Sequence, residues 1–365
     1  ETEKKQKENE ILRKSNQLQE SELQRSRLLQ IGLYVIIAVV LSFLLLVYRN
    51  YRQKKKANIL LTRMNEEIQQ QKEEILTQNE EIMQQKEEIL TQAEYLEATN
   101  KELEKKNKQV TDSINYAKRI QEALLPAESQ IRRHFPESFI YFLPRDIVSG
   151  DFYWFAEQGD FLFLAVADCT GHGVPGAFMS MIGNSLLNEI VKERGVNKPS
   201  EILSLLNTRV TEALLQGGDE KAQEDGMDIT LCRFSPEKKE IVVACANHTA
   251  FYMENSEFKT IKGDIFSIGG AFAKKKDIQY TEHTLKLHPD LTLYMFSDGF
   301  PDQFGGADDK KFGMKKFREL IASVADMPLE QQQEILRQTF EQWKGSRRQM
   351  DDVLVAGINF LLNGL

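Results

Sequence analysis

Residues 161–183 read FLFLAVADCTGHGVPGAFMSMIG, and this stretch decides the fold class. Seven apolar residues, 161–167, end at Asp168, which is typical of a buried strand bounded by a turn. The glycine-rich CTGHG segment breaks the pattern, and a helix is predicted from Pro175 to Glu193. The stretch therefore predicts a strand, a loop and a helix, with a carboxylate where the strand ends.

Further strand and helix patterns surround this stretch from Phe139 onward. The predicted strands are Phe139–Phe142, Phe152–Glu157, Phe161–Ala167, Asp228–Phe234, Ile241–Ala246, Ala250–Glu254, Ile278–Leu285, Leu291–Phe296 and Val353–Phe360. The other predicted helices are Pro199–Leu215, Lys310–Ser323 and Leu329–Lys344. Many strands with helices grouped between them favour a layered α+β fold.

Four aspartates stand at the ends of predicted strands. Asp151 lies in VSGDF, Asp168 follows FLFLAVA, Asp298 follows LTLYMFS, and Asp351 opens DDVLVAGINF. Carboxylates at strand ends can converge on a rigid scaffold, and ligation by oxygen alone suits Mg²⁺ or Mn²⁺. Two such ions about 3.5–4 Å apart can activate a water and hold a phosphoryl oxygen.

Each aspartate also has an ordinary structural interpretation. Asp298-Gly299 is a common turn dipeptide, Asp351-Asp352 could lie in a solvated loop, and Asp168 could cap the turn after it. Taken singly, each position favours the turn interpretation over the metal site.

Taken together, four segments resemble the SpoIIE/RsbU-type branch of the metal-dependent PPM phosphatases. The segments are PRDIVSGDFYWF (144–155), FLFLAVADCTGHGVPGAFMSMIG (161–183), LTLYMFSDGFPDQFGG (291–306) and MDDVLVAGINF (350–360). The resemblance extends over about 113–360 and includes the connecting helix SINYAKRIQEALLP. It implies a PPM-type α-β-β-α sandwich, a β-sandwich flanked by helices, with two Mn²⁺ or Mg²⁺ ions at one end.

The resemblance also implies residue roles. Asp168 is similar to the carboxylate that bridges both ions, and the backbone carbonyl of Cys169 would be a further ligand. Asp151, Asp298 and Asp351 match the remaining acidic positions. The implied reaction is in-line attack of a metal-activated water on phosphoserine or phosphothreonine, without a covalent enzyme intermediate. Asp168 and Asp151 are thus the expected catalytic residues, and the Cys169 thiol is not expected to be a nucleophile.

Several neighbouring residues have open roles. His172 could protonate the leaving oxygen, but ordering of the GHG loop is the favoured alternative. Asp228 and Asp352 could support the ligands or form a further, weaker metal site. Asn247 matches a family segment, whereas the residue before His248 departs from the glycine found there more commonly, which leaves a role for His248 open.

Residues 28–48 predict a single transmembrane helix. They read LLQIGLYVIIAVVLSFLLLVY without a charged residue, and 21 helical residues span about 30 Å, the thickness of a bilayer core. A signal peptide would have a shorter apolar run and a cleavage site, and the basic flanks argue against a buried core helix. Two basic residues precede the span and five follow it within 49–56, which places the C-terminal side in the cytoplasm. Residues 1–27 are then an extracytoplasmic helical segment that could end a sensor domain.

Residues 49–110 predict a basic juxtamembrane segment followed by a coiled coil. Apolar residues recur every seven positions at Leu61, Ile68, Ile75, Ile82, Ile89, Leu96, Leu103 and Val110. A lone solvated helix is the alternative, but an apolar stripe of this kind favours association, and a homodimer is expected. Glutamines at 71, 78, 85 and 92 weaken the seam. A linker helix, 111–126, with Ile114, Ala117, Ile120 and Leu124 on one face, leads to the phosphatase domain, 127–365.

Composition narrows the classes of function. The net charge of −8 argues against a nucleic-acid partner, and three cysteines without CxxC spacing indicate neither disulfides nor a zinc site.

The predicted function is a membrane-anchored signalling phosphatase whose substrate resembles a small STAS-domain protein. A catalytically silent receptor and a phosphatase for small phosphomolecules are the alternatives. A histidine kinase shares the layout of span and coil, but no glycine-rich ATP-lid pattern is evident.

Overall fold

The computed structural model describes residues 1–215, 225–255, 257–272, 275 and 277–360. The described chain divides into two compact units, 1–102 and 103–365. The predicted phosphatase domain ends at residue 365, so its last five residues lie outside the described part.

Helix α1 runs from Thr2 to Leu124, and its residues up to 102 form the N-terminal unit. The predicted span, coil and linker helix are thus parts of one continuous helix. This helix contains an apolar window with the length and composition of a membrane span, and none of that window is buried.

The C-terminal unit contains helices and strands in the predicted α+β arrangement. After α1, the helices are α2 (Glu128–His134), α3 (Gly173–Asn188), α4 (Pro199–Ala213), α5 (Gly299–Asp302), α6 (Met314–Val324) and α7 (Leu329–Lys344). The strands are β1 (Ser138–Leu143), β2 (Phe152–Gln158), β3 (Phe161–Cys169), β4 (Gly226–Ser235), β5 (Glu240–Ala246), β6 (Thr249–Glu254), β7 (Glu257–Lys262), β8 (Ile268–Gly269), β9 (Glu282–Lys286), β10 (Thr292–Phe296), β11 (Phe304–Gly305), β12 (Lys310–Lys311) and β13 (Val353–Asn359). A π-helical turn, Glu189–Glu193, extends α3, so this helix ends at Glu193 as predicted but begins at Gly173, two residues before the predicted start at Pro175.

Most strands belong to two antiparallel sheets. One sheet has the order β1-β13-β10-β6-β7, and the other has the order β2-β3-β4-β5-β9 with β8 paired to β4. The position of strand β3 between two apolar layers explains its continuous apolar run, because alternate side chains of a strand point to opposite faces of the sheet. Phe163 and Ala165 belong to a cluster with α3 and α4, whereas Leu164 and Val166 belong to a cluster with the other sheet. Both faces of β3 are therefore buried.

A third apolar cluster covers the outer face of the five-stranded sheet. It combines Tyr294 and Val355 from the sheet with Phe300 of α5, Phe317 of α6 and Phe340 of α7. Most of the core lies in these three clusters, and the polar ends of the strands lie beyond it.

Two predicted elements were wrong in part. The strand predicted from Ile278 begins only at Glu282, because the Ile278 carbonyl accepts a hydrogen bond from Ser204 and the Thr281 amide donates to Asp264. The helix predicted from Lys310 begins at Met314, because 310–311 pair with β11. Gly313, with φ of 85°, then redirects the chain into the helix.

Candidate metal centre

The four predicted aspartates occupy strand ends on both large sheets. Asp151 directly precedes β2, and the register pairs Phe152 with Ala167, so Asp151 lies beside the end of β3 that carries Asp168. Asp298 follows β10 and Asp351 precedes β13, which is the neighbour of β10. The backbone amide of Asp298 donates to Asp168 Oδ2 at 3.2 Å. This hydrogen bond joins the ends of the two sheets at the carboxylates.

The carboxylates affect each other's charge. Burial raises the pKa of Asp151 well above its usual range, and the nearby Asp168 raises it further. Burial, followed by repulsion from Asp298, also raises the pKa of Asp168 strongly. The pKa of Asp298 is raised to about 6 by burial and by the charges of Asp302 and Asp351. These aspartates therefore form one electrostatic cluster, and a cation there would relieve their repulsion.

The donor set of this cluster fits a hard cation. Asp151 Oδ2 is buried and has no hydrogen-bond partner among the described residues. Unpaired buried carboxylate oxygens are costly unless a cation binds them. In this conformation, no three His, Cys, Asp or Glu side chains of the described residues surround a single point closely enough to hold an ion. The fit therefore rests on the donor chemistry and on the unpaired oxygen.

Asp228 lies next to the cluster on the neighbouring strand. It faces Asp168 across the β3–β4 pairing, and burial raises its pKa. The Asn247 amide donates to Asp228 Oδ2 at 2.8 Å. One oxygen of Asp228 is therefore occupied by a protein donor.

Asp352 holds the loop that precedes Asp151. Its two oxygens accept from the backbone amides of Arg145 and Gly150, each at 2.7 Å. Burial raises its pKa even though these hydrogen bonds act in the opposite direction. Asp351 lies one residue earlier and its carboxylate accepts only from the Asp352 amide, at 2.9 Å, among the hydrogen bonds of the described residues. The two adjacent aspartates thus differ in their contacts.

Glycines allow the loops of this site to pack backbone against backbone. A Cβ on Gly176 would lie 2.3 Å from the Gly171 carbonyl oxygen, and one on Gly299 would lie 1.9 Å from the Asp352 carbonyl oxygen. Neither distance is possible for a side chain, so Gly176 of GHGVPG and Gly299 of SDG are required by close approach. The turn interpretation and the metal interpretation of Asp298-Gly299 are therefore compatible.

Comparison with known proteins agrees with this arrangement. The model of the family "Stage II sporulation protein E (SpoIIE)" matches residues 158–360, more than half of the chain. The chain belongs to the SpoIIE family. Asp168, Asp298 and Asp351 lie within the matched range, and Asp151 lies shortly before it.

Two relatives place the SpoIIE-type domain among PP2C-type phosphatases. The chain is similar to the SiaA-PP2C domain of Pseudomonas aeruginosa, with 31% identity, a TM-score of 0.63, and coverage of 70% of this chain and 98% of that one. It is 25% identical to phosphoserine phosphatase RsbU of Bacillus subtilis over 195 residues, which is 53% of this chain and 54% of RsbU. The chain thus matches about half the length of this curated relative. The resemblance inferred from the motifs is confirmed.

Cys169 lies at the end of β3 in the SpoIIE-type domain. Its side chain is buried, and burial together with the nearby Asp151 and Asp168 raises the pKa of the thiol well above its usual range. The thiol is therefore neutral and inaccessible. Its carbonyl oxygen lies beside Gly150, since a Cβ there would be 3.4 Å away. The predicted backbone ligand thus faces the loop that carries Asp151.

The two histidines considered above lie outside the carboxylate cluster. His172 Nδ1 contacts Asp146 Oδ2 at 2.8 Å, and both side chains are partly exposed. This contact links the GHG loop to the loop before Asp151, as a loop-ordering role requires. His248 is buried, contacts Thr230 Oγ1 through Nδ1 at 2.8 Å, and burial lowers its pKa to about 4. His248 is therefore a neutral core residue.

Sequence reasoning missed Gln121 on helix α1. The predicted apolar face included Ile120 and Leu124, but both are exposed, and Gln121 is buried instead. Gln121 Nε2 donates to the Ser149 carbonyl at 2.6 Å and to Ser180 Oγ at 2.8 Å, while its Oε1 accepts from the Ser149 amide at 3.1 Å. The signal in the sequence that could have identified this contact is a glutamine among the apolar positions of the helix.

We expect Gln121→Leu to weaken activity without unfolding the domain. The leucine has a similar volume but leaves the Ser149 backbone groups, two residues before Asp151, without their partner. We expect a loss of about 1–3 kcal/mol of stability and a higher Mn²⁺ concentration for half-maximal activity. Glu122→Leu, at an exposed neighbour, is the matched control. Equal Mn²⁺ dependence of the two variants would contradict a positioning role for Gln121.

Proposed function

We propose that this chain is a signalling phosphatase that hydrolyses phosphoserine or phosphothreonine on a protein. The observation that supports it most is the cluster formed by Asp151, Asp168, Asp298 and Asp351, which includes a buried oxygen without a hydrogen-bond partner among the described residues. Family membership and the similarity to a protein named phosphoserine phosphatase agree with this reaction. The three apolar layers described above support a PPM-type α-β-β-α sandwich as the scaffold.

In this proposal the four carboxylates and the Cys169 carbonyl would hold two Mn²⁺ or Mg²⁺ ions. Bound divalent ions supply an activated water and a positive charge that holds phosphoryl oxygens. The chain's own residues position these ligands. The Asp298 amide fixes Asp168, and Asp352 fixes the loop before Asp151 through two backbone amides. Asp228, tied to Asn247, is placed to support Asp168 from the adjacent strand.

The substrate we propose is a phosphorylated STAS-type regulator. The test incubates the full chain with a panel of phosphorylated STAS-domain proteins and measures phosphate release with and without Mn²⁺. Mn²⁺-dependent release from at least one member is the expected result. Release from small phosphomolecules alone would favour the small-molecule phosphatase, and no release from any substrate would favour the silent receptor.

Cys169→Ala is expected to keep most of the phosphatase activity. The thiol is buried and neutral, and the proposed ligand at this position is the backbone carbonyl, which alanine retains. Removal of one buried sulfur costs about 1 kcal/mol or slightly more in stability. Thiol alkylation should leave the native enzyme active, whereas chelation should inactivate it. Isolation of a phosphocysteine intermediate would overturn the proposed reaction.

We also propose that residues 28–48 anchor the chain in a membrane by a single span, with the phosphatase domain in the cytoplasm. The support is the unburied apolar window of α1 and the five basic residues within 49–56. Single cysteines introduced near Glu3 and near Lys55 should react with an impermeant reagent from opposite sides. Labelling of both from one side would exclude this topology.

We also propose that two copies of the chain form a homodimer through the heptad segment. Ile68, Ile75, Ile82 and Ile89 all lie exposed on α1, and an apolar stripe at this spacing is buried by pairing with another helix. Sedimentation of the detergent-solubilised chain should give a dimer, and Ile75→Glu with Ile82→Glu should give a monomer. If the native chain sediments as a monomer, the dimer proposal is wrong and the heptad segment is only a spacer.

A further inference from the structure

A pocket of about 560 Å³ lies between strands β6 and β7 and helix α6, outside the carboxylate cluster. Its apolar lining includes Phe251, Ile265 and Met314. Its basic lining consists of Lys262, Lys315 and Arg318. The pocket therefore combines an apolar surface with positive charge, although the neighbouring cluster is acidic.

Asn247 connects this pocket to the proposed active site. Asn247 lines the pocket, its side-chain amide donates to Asp228 Oδ2, and Asp228 faces Asp168 on the adjacent strand. A peptide with its phosphorylated residue at the carboxylate cluster would therefore have a neighbouring part of its chain at the pocket.

The positive charge of the pocket is largely uncompensated. Lys262 has no ion pair among the described residues, and Lys315 is 90% exposed with its nearest carboxylate, Glu319, at 4.0 Å. Arg318 is held in place, because it donates to the Phe258 carbonyl at 3.1 Å and lies over the Phe258 ring. Exposed pairs at such distances contribute little, so the three cations remain available to an external anion.

The apolar part of the pocket is open to solvent. Ile265 is 70% exposed and Met314 is 43% exposed, while Phe251, which also lines the pocket, is buried. Exposed apolar side chains beside a polar rim are typical of binding surfaces. The combination suits a ligand that carries both carboxylates and an apolar side chain.

We propose that this pocket binds an acidic segment next to the phosphorylated residue of the protein substrate, with one apolar side chain against Ile265 and Met314. The inference rests on the proposed phosphatase function and adds a sequence preference to it. Carboxylates of the substrate are attracted by Lys262, Lys315 and Arg318, which line the pocket. This attraction would hold the acidic segment at the pocket while the phosphorylated residue lies at the neighbouring cluster.

The test uses synthetic phosphoserine peptides of equal length. One carries Glu and Leu residues on both sides of the phosphoserine, a second carries Gln in place of Glu, and a third carries Lys. Phosphate release by the full chain in Mn²⁺ should give a kcat/KM that is about tenfold higher for the acidic peptide than for the Gln peptide. The basic peptide should be the poorest substrate, and added salt should reduce the differences.

The variant Lys262→Glu with Lys315→Glu should lose this preference, mainly through a higher KM. Arg318 is left unchanged because its hydrogen bonds hold β7. The control, Lys192→Glu with Lys238→Glu, changes the net charge by the same amount at exposed positions that do not line the pocket and should keep the preference. Hydrolysis of p-nitrophenyl phosphate should be equal in all three proteins, which shows that the metal site is intact.

Fluorescence anisotropy with the same peptides separates the two proposals. Hydrolysis of all three peptides at equal kcat/KM, or an equal response of the pocket variant and the control, would overturn the pocket proposal and leave the phosphatase function standing. Tight binding of the acidic peptide without phosphate release would overturn the phosphatase function and leave the pocket standing. If the protein showed no binding preference among the peptides and hydrolysed none of them, both proposals would be overturned.

Discussion

Asp168→Asn is expected to abolish phosphatase activity and at the same time to stabilise the metal-free protein. Asp168 is half-buried beside Asp298, Asp351 and Asp228, and partial burial together with these charges raises its pKa strongly. At neutral pH its ionisation therefore opposes folding when no cation is bound, and the neutral amide removes this cost. We therefore expect the variant to be more stable than the native protein when no metal is present. The loss of a carboxylate that would hold the proposed metal should reduce turnover by several orders of magnitude.

Thermal unfolding in EDTA and in Mn²⁺, measured beside activity, checks both effects. Native protein should be stabilised by Mn²⁺ and Asp168→Asn should respond much less. In EDTA, the extra stability of Asp168→Asn should shrink as the pH falls from 8 towards the pKa of Asp168 in the unfolded state. Over this range Asp168 of the native protein becomes protonated and loses the charge that opposes folding. Asp160→Asn, in the exposed turn between β2 and β3, is the control. Normal Mn²⁺-dependent activity in Asp168→Asn would overturn the assignment of the metal site.

Asp351→Asn and Asp352→Asn are expected to differ sharply, although the residues are adjacent. Asp352 accepts two backbone hydrogen bonds at 2.7 Å, and an asparagine would present an NH₂ group to one of those amides. Hydrogen bonds to charged groups contribute about 1.5–3 kcal/mol each, so Asp352→Asn should destabilise the protein by about 2–4 kcal/mol. Asp351 has a single backbone contact and repels Asp298, so Asp351→Asn should leave the metal-free protein as stable as the native one.

Denaturant unfolding in EDTA and Mn²⁺ titration of activity distinguish the two roles. We expect Asp351→Asn to lose activity at every Mn²⁺ concentration with its fold intact. Asp352→Asn should unfold at lower denaturant concentration, and its remaining activity should require more Mn²⁺ because the loop that carries Asp151 is no longer held. The reverse pattern, a stable Asp352→Asn and an unstable Asp351→Asn, would contradict the contacts seen here.

Local patterns predicted most of the C-terminal unit. The helix Leu329–Lys344 has the predicted bounds, and strands such as β3 and β13 were recognised by their apolar runs. These patterns succeed because burial of one or both faces of an element imposes a short, regular spacing on the sequence. The aspartates were found for a related reason, since polar residues at the ends of buried strands stand out.

Elements that depend on partners distant in sequence were predicted less well. Strand β7 was missed, since its six residues include three charged ones and only alternate positions face the core. The pair β11–β12 was missed because each strand has two residues. Gln121 was missed, because its partners Ser149 and Ser180 lie 28 and 59 residues away in the chain.

The sequence by itself determined the α+β class, the apolar segment 28–48, the heptad spacing and the aspartates at the strand ends. Each of these depends on spacing within one segment, and hydrophobic burial imposes such spacing locally. Only the tertiary structure decided which aspartate has a free oxygen and which one holds a loop. Within the described part of the chain, Asp151 is left with an unpaired oxygen, and Asp352 has both oxygens occupied, because backbone amides from a segment about 200 residues earlier reach Asp352. The role of a buried carboxylate is set by the donors that folding brings to it, and a strand-end motif does not contain that information.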